Sequence, residues 1–342
     1  MGSGVVTSRA VVYSDTGGPE VLQLVDREVP EPGPGEVRVR LRVAGVNPTD
    51  WKFRTGLTGP MSLPEVCPGQ DGAGEVDAVG AGVGLALGQR VWVWLAGGTP
   101  YGGTAREHAV LPARSVRPLP DRVSLETGAC LGVPAVTAHR CLTVAEGGPV
   151  RLAPGALAGR TVLVAGGAGA VGHAAIELAR WAGATVLATV SGPTKAELAG
   201  RAGAHHVVDY RHEDAAARIR QLAPDGVDVV VEVAPVANAD LDAAVIATGG
   251  TIAIYANDEA TAAIPVRAHM LTNTRYQFVL LYTVVPDALE AAAAAVSEAL
   301  VDGALRSGEG AGLPLHRYPL AEAGAAHAAV EAHAVGKVLL EL

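Results

Sequence analysis

Three cysteines in 342 residues, Cys67, Cys130 and Cys141, are too few and too irregularly spaced for a disulfide frame or a four-thiolate zinc lobe. They read as reduced, buried thiols. No apolar run approaches the roughly 20 residues that cross a bilayer, and the first residues lack the charged-then-apolar pattern of an export signal. The expectation is a cytoplasmic protein without a membrane partner. Basic residues are also in short supply: 26 Lys and Arg stand against 35 Asp and Glu, a formal net charge of -9. No local basic stripe offsets it. A phosphate backbone would be repelled, which weighs against nucleic acid as the principal partner.

What is present is a chain with 49% hydrophobic residues, long enough for two domains with their own cores. The first part alternates short β-type segments, 9–13, 36–46, 74–79, 89–94 and 107–111, with turn clusters rich in Pro and Gly. This predicts a small, mostly antiparallel β-domain. From about residue 131, strands at 161–165, 185–190, 206–209, 227–233 and 251–255 alternate with helices at 171–182, 194–202, 213–222 and 239–247. Such alternation implies an α/β domain with a parallel, doubly wound sheet. Past residue 271 come a strand at 276–282, an Ala-rich helix at 286–301 and a closing strand at 337–342. That last segment is too short to stand alone and is expected to return to the first domain. The expected division is therefore 1–130, 131–271 and 272–342.

The strongest motif is Gly167-Ala168-Gly169-Ala170-Val171-Gly172, placed between the strand TVLVA and the helix VGHAAIELARWAG. Glycines there allow a tight turn and close backbone approach, so that free N–H groups at a helix start meet a pyrophosphate. Ala168, Gly169, Ala170 and Val171 are the expected contacts. The end of the second strand then separates NAD from NADP. An NAD site places a carboxylate there to accept from the ribose 2′-hydroxyl, whereas this chain reads Val190-Ser191-Gly192-Pro193-Thr194-Lys195. A hydroxyl and a cation four residues on suit a 2′-phosphate, with Lys195 as a point charge. Tyr210 and Arg211, past the third strand, are expected nearby. Taken alone, Lys195 is equally a solvated helix lysine.

With GVNPTD from Gly45, PGQDGAGEVDAVGAGV from Pro68, YGGTAREHAV from Tyr101, GVPAVTAHRCL from Gly132, AGGAGAVG from Ala165, AGAHHVVDYR from Ala202 and the closing GKVLLEL in family order, the chain resembles the zinc-free quinone oxidoreductase (zeta-crystallin-like) branch of the medium-chain dehydrogenase/reductase superfamily. The resemblance implies a GroES-like β-domain completed by the C-terminal segment, an inserted Rossmann domain, a cleft between the two, and a homodimer or tetramer. Zinc-dependent relatives hold the metal with a Cys, a His-Glu pair and a second Cys. Those positions carry Asn47, Gln70-Asp71 and Val133 here, and neither an amide nor an alkyl group replaces thiolate and imidazole.

Without a Lewis acid, reduction of an already activated acceptor is the easier chemistry. The protein must hold the nicotinamide beside an electrophilic carbon and donate to the developing enolate oxygen. The expected reaction is NADPH-dependent hydride transfer to a small conjugated carbonyl compound, a quinone or an α,β-unsaturated carbonyl. The resemblance puts Asn47 beside the nicotinamide, with Thr137 close by, although Thr137 serves equally as a packing residue. Many relatives carry a tyrosine near the positions of Lys52 and Thr58, so Lys52 or solvent is left to supply the proton. Asp50 and Trp51 either line the pocket or, for Asp50, cap a turn. Loops at the carboxyl ends of parallel strands face the ligand, which adds Val236, Asn238, Asn257 and Phe278 to Leu280. The segment 276–282 also reads as an edge strand through which two copies would pair. Two further readings stay open: an NADPH-binding sensor or nucleic-acid-binding protein without turnover, and an enoyl or alcohol reductase of specialised metabolism.

Overall fold

The computed structural model describes residues 6–61, 63–257 and 261–342, in two compact units: 1–133 with 315–342, and 134–314. In the first unit β1 (Val6–Val12) and β2 (Gln23–Val29) form an antiparallel ribbon. The main sheet contains β3 (Glu36–Val46), β4 (Asp71–Val79), β5 (Arg90–Val93), β6 (His108–Pro112) and β7 (Val116–Pro118). Its inward side chains, among them Val37, Val39, Leu41, Val76, Val91 and Leu111, are buried together, the result expected when alternate residues of a strand share one face. After β3 the chain turns into α1 (Pro48–Arg54), where Asn47 caps the helix, Pro48 fixes its first turn and the Asp50 side chain reaches back to the cap.

The second unit alternates β8 (Thr161–Ala165), α2 (Ala170–Trp181), β9 (Thr185–Val190), α3 (Pro193–Ala202), β10 (His206–Asp209), α4 (Ala215–Leu222), β11 (Val227–Glu232), α5 (Ala239–Val245), β12 (Ile246–Ile254) and β13 (Arg275–Phe278). The six strands are parallel, in the order β10-β9-β8-β11-β12-β13. The apolar runs in β8, β9 and β11 are buried because helices cover a parallel sheet on both faces. A later helix, α6 (Pro286–Val301), turns Ala292, Ala293, Ala295 and Val296 inward. The chain then re-enters the first unit as β14 (Leu315–Pro319), α7 (Ala323–Glu331) and β15 (Lys337–Glu341), with β15 antiparallel to β3.

The α/β architecture and both sheets match the sequence reading, but three boundaries move. The segment 272–314 belongs to the parallel-sheet unit rather than to the first, because β13 pairs with β12 as its sixth strand; the return begins at Leu315. The strand expected at 276–282 stops at Phe278, and Leu281–Thr283 is a single 3-10 turn. β12 begins at Ile246, five residues before the expected start, which ends the preceding helix at Val245.

Candidate functional site

In the second unit the glycine turn joins β8 to α2. A methyl group on Gly172 would fall 2.4 Å from the Gly166 carbonyl oxygen, so the helix can pass this close only because position 172 has no side chain. Gly169 caps α2 in extended conformation and brings no side chain to the first-turn N–H groups, leaving them for an anion. Gly169 is exposed, Ala170 and Val171 are half-buried, and Ala168 is buried, so Ala168 has only backbone to offer.

At the carboxyl ends of the next two strands the expected residues come together. The Lys195 Nζ donates to the Ser191 Oγ at 2.9 Å, and the Tyr210 N–H donates to the carbonyl of Val190 at 3.1 Å. Tyr210 is 48% exposed. The neighbouring carboxylate, Asp209, accepts from the Arg211 N–H at 3.1 Å and contacts the His212 ring at 2.8 Å.

The end of β11 holds a group that the sequence reading passed over. Glu232 is buried, and its Oε1 accepts from the Ala234 N–H and, at 2.9 Å, from the Asn238 amide. The loop carrying half-buried Val236 is thereby tied to a carboxylate. Asp242, also buried, is pushed up to about 9, first by burial and then by the nearby Glu232; burial also raises Glu232. The signal was a carboxylate closing the apolar run VVVE. Asn257 follows β12 and is exposed, as are Phe278 and Leu280. Thr137 is buried on the helix Gly132–Leu142.

In the first unit Asn47 is buried within a polar cluster. Its Nδ2 donates to the Asp71 Oδ2 at 2.7 Å, its Oδ1 accepts from the Lys337 Nζ at 2.7 Å, and its backbone N–H donates to the Asp50 Oδ2 at 2.7 Å. The Asp71 Oδ2 also takes the Lys337 ammonium at 3.0 Å, and its Oδ1 accepts the Val133 N–H at 2.6 Å. Asp50 is therefore the capping carboxylate, raised to about 7 by burial and by Asp71. Lys52 is half-buried on α1 with its ammonium 5.9 Å from the Trp51 ring centroid. Lys337 was missed; a cation opening the buried stretch KVLL was the available signal.

Residues 33–121 match the family described as alcohol dehydrogenase GroES-like domain, and residues 170–298 the family described as zinc-binding dehydrogenase. The chain is 30% identical over 345 residues to the quinone oxidoreductase of Homo sapiens, covering 100% of both proteins. Among solved structures it is similar to the Escherichia coli quinone oxidoreductase complexed with NADPH, with a TM-score of 0.79, 26% identity, and coverage of 98% of this chain and 100% of that one. It is also similar to an NAD-dependent alcohol dehydrogenase, with a TM-score of 0.83, 31% identity, and coverage of 98% and 99%.

A zinc ion is implied by the second family description, and these residues do not fit one. Asn47 has its oxygen and its amide nitrogen engaged, the Gln70 Oε1 accepts from the Gly97 N–H at 3.0 Å, and Val133 offers an alkyl group. An ammonium stands in the cluster where a dication would be repelled. Among the described residues, no group of three or more His, Cys, Asp or Glu is placed to hold a metal.

Proposed function

Because the chain belongs to the quinone oxidoreductase branch of the medium-chain dehydrogenase/reductase superfamily, we propose that it is an NADPH-dependent, zinc-independent reductase of quinones or α,β-unsaturated carbonyl compounds. The observation that carries the cofactor assignment is the Lys195–Ser191 pair at the end of β9, where an NAD site keeps a carboxylate. The N–H groups at the start of α2, from Gly169 to Val171, take the pyrophosphate, and Ser191, Lys195 and Tyr210 take the 2′-phosphate. Thr137, Val236, Asn257, Phe278 and Leu280 are assigned to the nicotinamide and ribose end. NADPH, when bound, supplies the hydride. Asn47 donates to the oxygen that gains charge, and Lys52 or solvent delivers the proton that completes the reduced product.

Turnover of NADPH and of NADH with a panel of quinones, enals and enones tests this reading. Lys195→Glu is expected to raise the KM for NADPH about 100-fold, the value of a charge-assisted contact replaced by repulsion, and to change that for NADH by less than about threefold. Equal changes would favour the cofactor use of the NAD-dependent neighbour. Nucleotide binding without turnover of any acceptor would favour the sensor reading.

A further inference from the structure

Lys337 opens β15, yet its side chain is only 1% exposed and its ammonium is spent on the Asn47 Oδ1 and the Asp71 Oδ2. With the return bond from the Asn47 Nδ2 to the same Asp71 oxygen, the three side chains close a triangle. Two glycines hold the space for it. A methyl group on Gly45 would fall 2.7 Å from the Lys337 Cε and 2.3 Å from the Ala129 carbonyl oxygen, and one on Gly132 would fall 2.2 Å from the Asp71 Oδ1. Gly45 opens GVN, two residues before Asn47 itself, and Gly132 opens the apolar GVPAV. A buried ion pair serves stability no better than apolar residues of equal volume, so the cluster calls for another account.

We infer that Lys337 is a positioning residue that acts through Asn47, fixing the amide by its oxygen and strengthening the amide N–H as a donor to the oxygen that becomes negative during reduction. An ammonium on the carbonyl oxygen draws density from the amide nitrogen, and in a low-dielectric site such hydrogen bonds reinforce one another. The orientation is settled as well. With a cation facing Oδ1 and a carboxylate facing Nδ2, a flipped amide would set donor against donor and acceptor against acceptor. Among the described residues Asp71 takes one Nδ2 hydrogen, and the second is left for the ligand. The positive charge that zinc-dependent relatives draw from a metal is delivered here through an amide.

This inference rests on the reductase reading, and its test keeps the two apart. Lys337→Met alone would strand the buried Asp71 carboxylate and fold poorly. Asp71→Asn alone would strand the ammonium in the same way. The comparison is therefore between the wild type and Asp71→Asn with Lys337→Met, which removes both buried charges together. Tm is measured to confirm that the variant folds, and the readout follows the ammonium. Its loss is expected to lower kcat for the best acceptor about 100-fold, the scale of a lost oxyanion donor, with the KM for NADPH within about twofold. Asn47→Ala added to the double variant is expected to cost less than about threefold more, because residues acting as a unit are not additive. An unchanged kcat, or an Asn47→Ala loss that multiplies in full, overturns the inference. A second readout needs no turnover: the Nδ2 proton resonances of Asn47 in the ligand-free, asparagine-labelled protein are expected to move upfield when the ammonium is removed. Unmoved resonances overturn it. A wild-type chain that reduces no acceptor overturns the reductase reading, while the resonances still decide the role of Lys337.

Discussion

At the residue scale the sharpest consequence lies in two buried carboxyl groups, Glu232 at the end of β11 and Asp242 on α5. Burial, reinforced by Glu232, lifts Asp242 to about 9, above its unfolded value of about 4. Below pH ~4 the group is neutral folded or unfolded, and its contribution to stability is fully present. Between pH ~4 and ~9 the unfolded chain releases a proton that the native chain keeps, so stability falls as pH rises, and the loss is complete once the folded group ionises. Asp242→Asn is neutral throughout and keeps a donor for Glu232. Its Tm at pH 8 is expected to exceed that of the wild type by about 2–4 °C, with the difference shrinking toward pH 4. An equal difference at both pH values would assign the effect to shape rather than to the proton. Residues of this kind divide by sequence distance. Ser191 and Lys195 were legible because a four-residue spacing on a helix start brings them together. Lys337 was not, because its partners Asn47 and Asp71 lie 290 and 266 residues away, and no local pattern reports a contact of that range.

At the element scale β8, β9, β10 and β11 were legible nearly to the residue, since buried parallel strands are short apolar runs between glycine and polar punctuation. The elements that escaped lack such contrast. β2 reads QLVDREV and β14 reads LHRYP, sequences whose strand state comes from the neighbour they pair with rather than from their own pattern. β13 was legible as a strand and misjudged in extent. Among the described residues it pairs only with β12, which leaves one edge of the parallel sheet with unpaired backbone groups, beside Phe278 at 71% exposure and Leu280 at 56%. An open edge flanked by apolar side chains favours pairing with the same edge of a second copy. A homodimer is the expected state. Gln277→Lys, which sets like charges against each other where two such edges meet, is expected to weaken dimerisation at least about tenfold by sedimentation equilibrium. A wild-type chain that sediments as a monomer, or a variant that dimerises equally well, would place the contact elsewhere.

At the scale of the whole molecule, the second unit is one unbroken stretch, 134–314, between the two pieces of the first. Sequence periodicity named the elements but not the sheet that each would join. A strand after residue 271 could complete either unit, and only hydrogen bonding to β12 assigns it. The assignment has a physical test. The core of the parallel-sheet unit, from Leu163 and Leu187 through Val230 and Ile252 to Ile254, is drawn entirely from 134–314, and Tyr276 of β13 packs against it. A fragment of 134–314 is therefore expected to fold alone with a cooperative thermal transition. It should bind NADPH in a fluorescence titration, lose that preference with Lys195→Glu, and reduce no acceptor, since Asn47 and Lys337 belong to the other unit. A fragment of 131–271 lacks β13 and the helix that buries Ala292, Ala293, Ala295 and Val296. Unpaired along β12 and uncovered where that helix would lie, it is expected to melt without cooperativity or to aggregate. If the shorter fragment folds and binds as well as the longer one, β13 and α6 are accessories to the nucleotide unit and not part of its core.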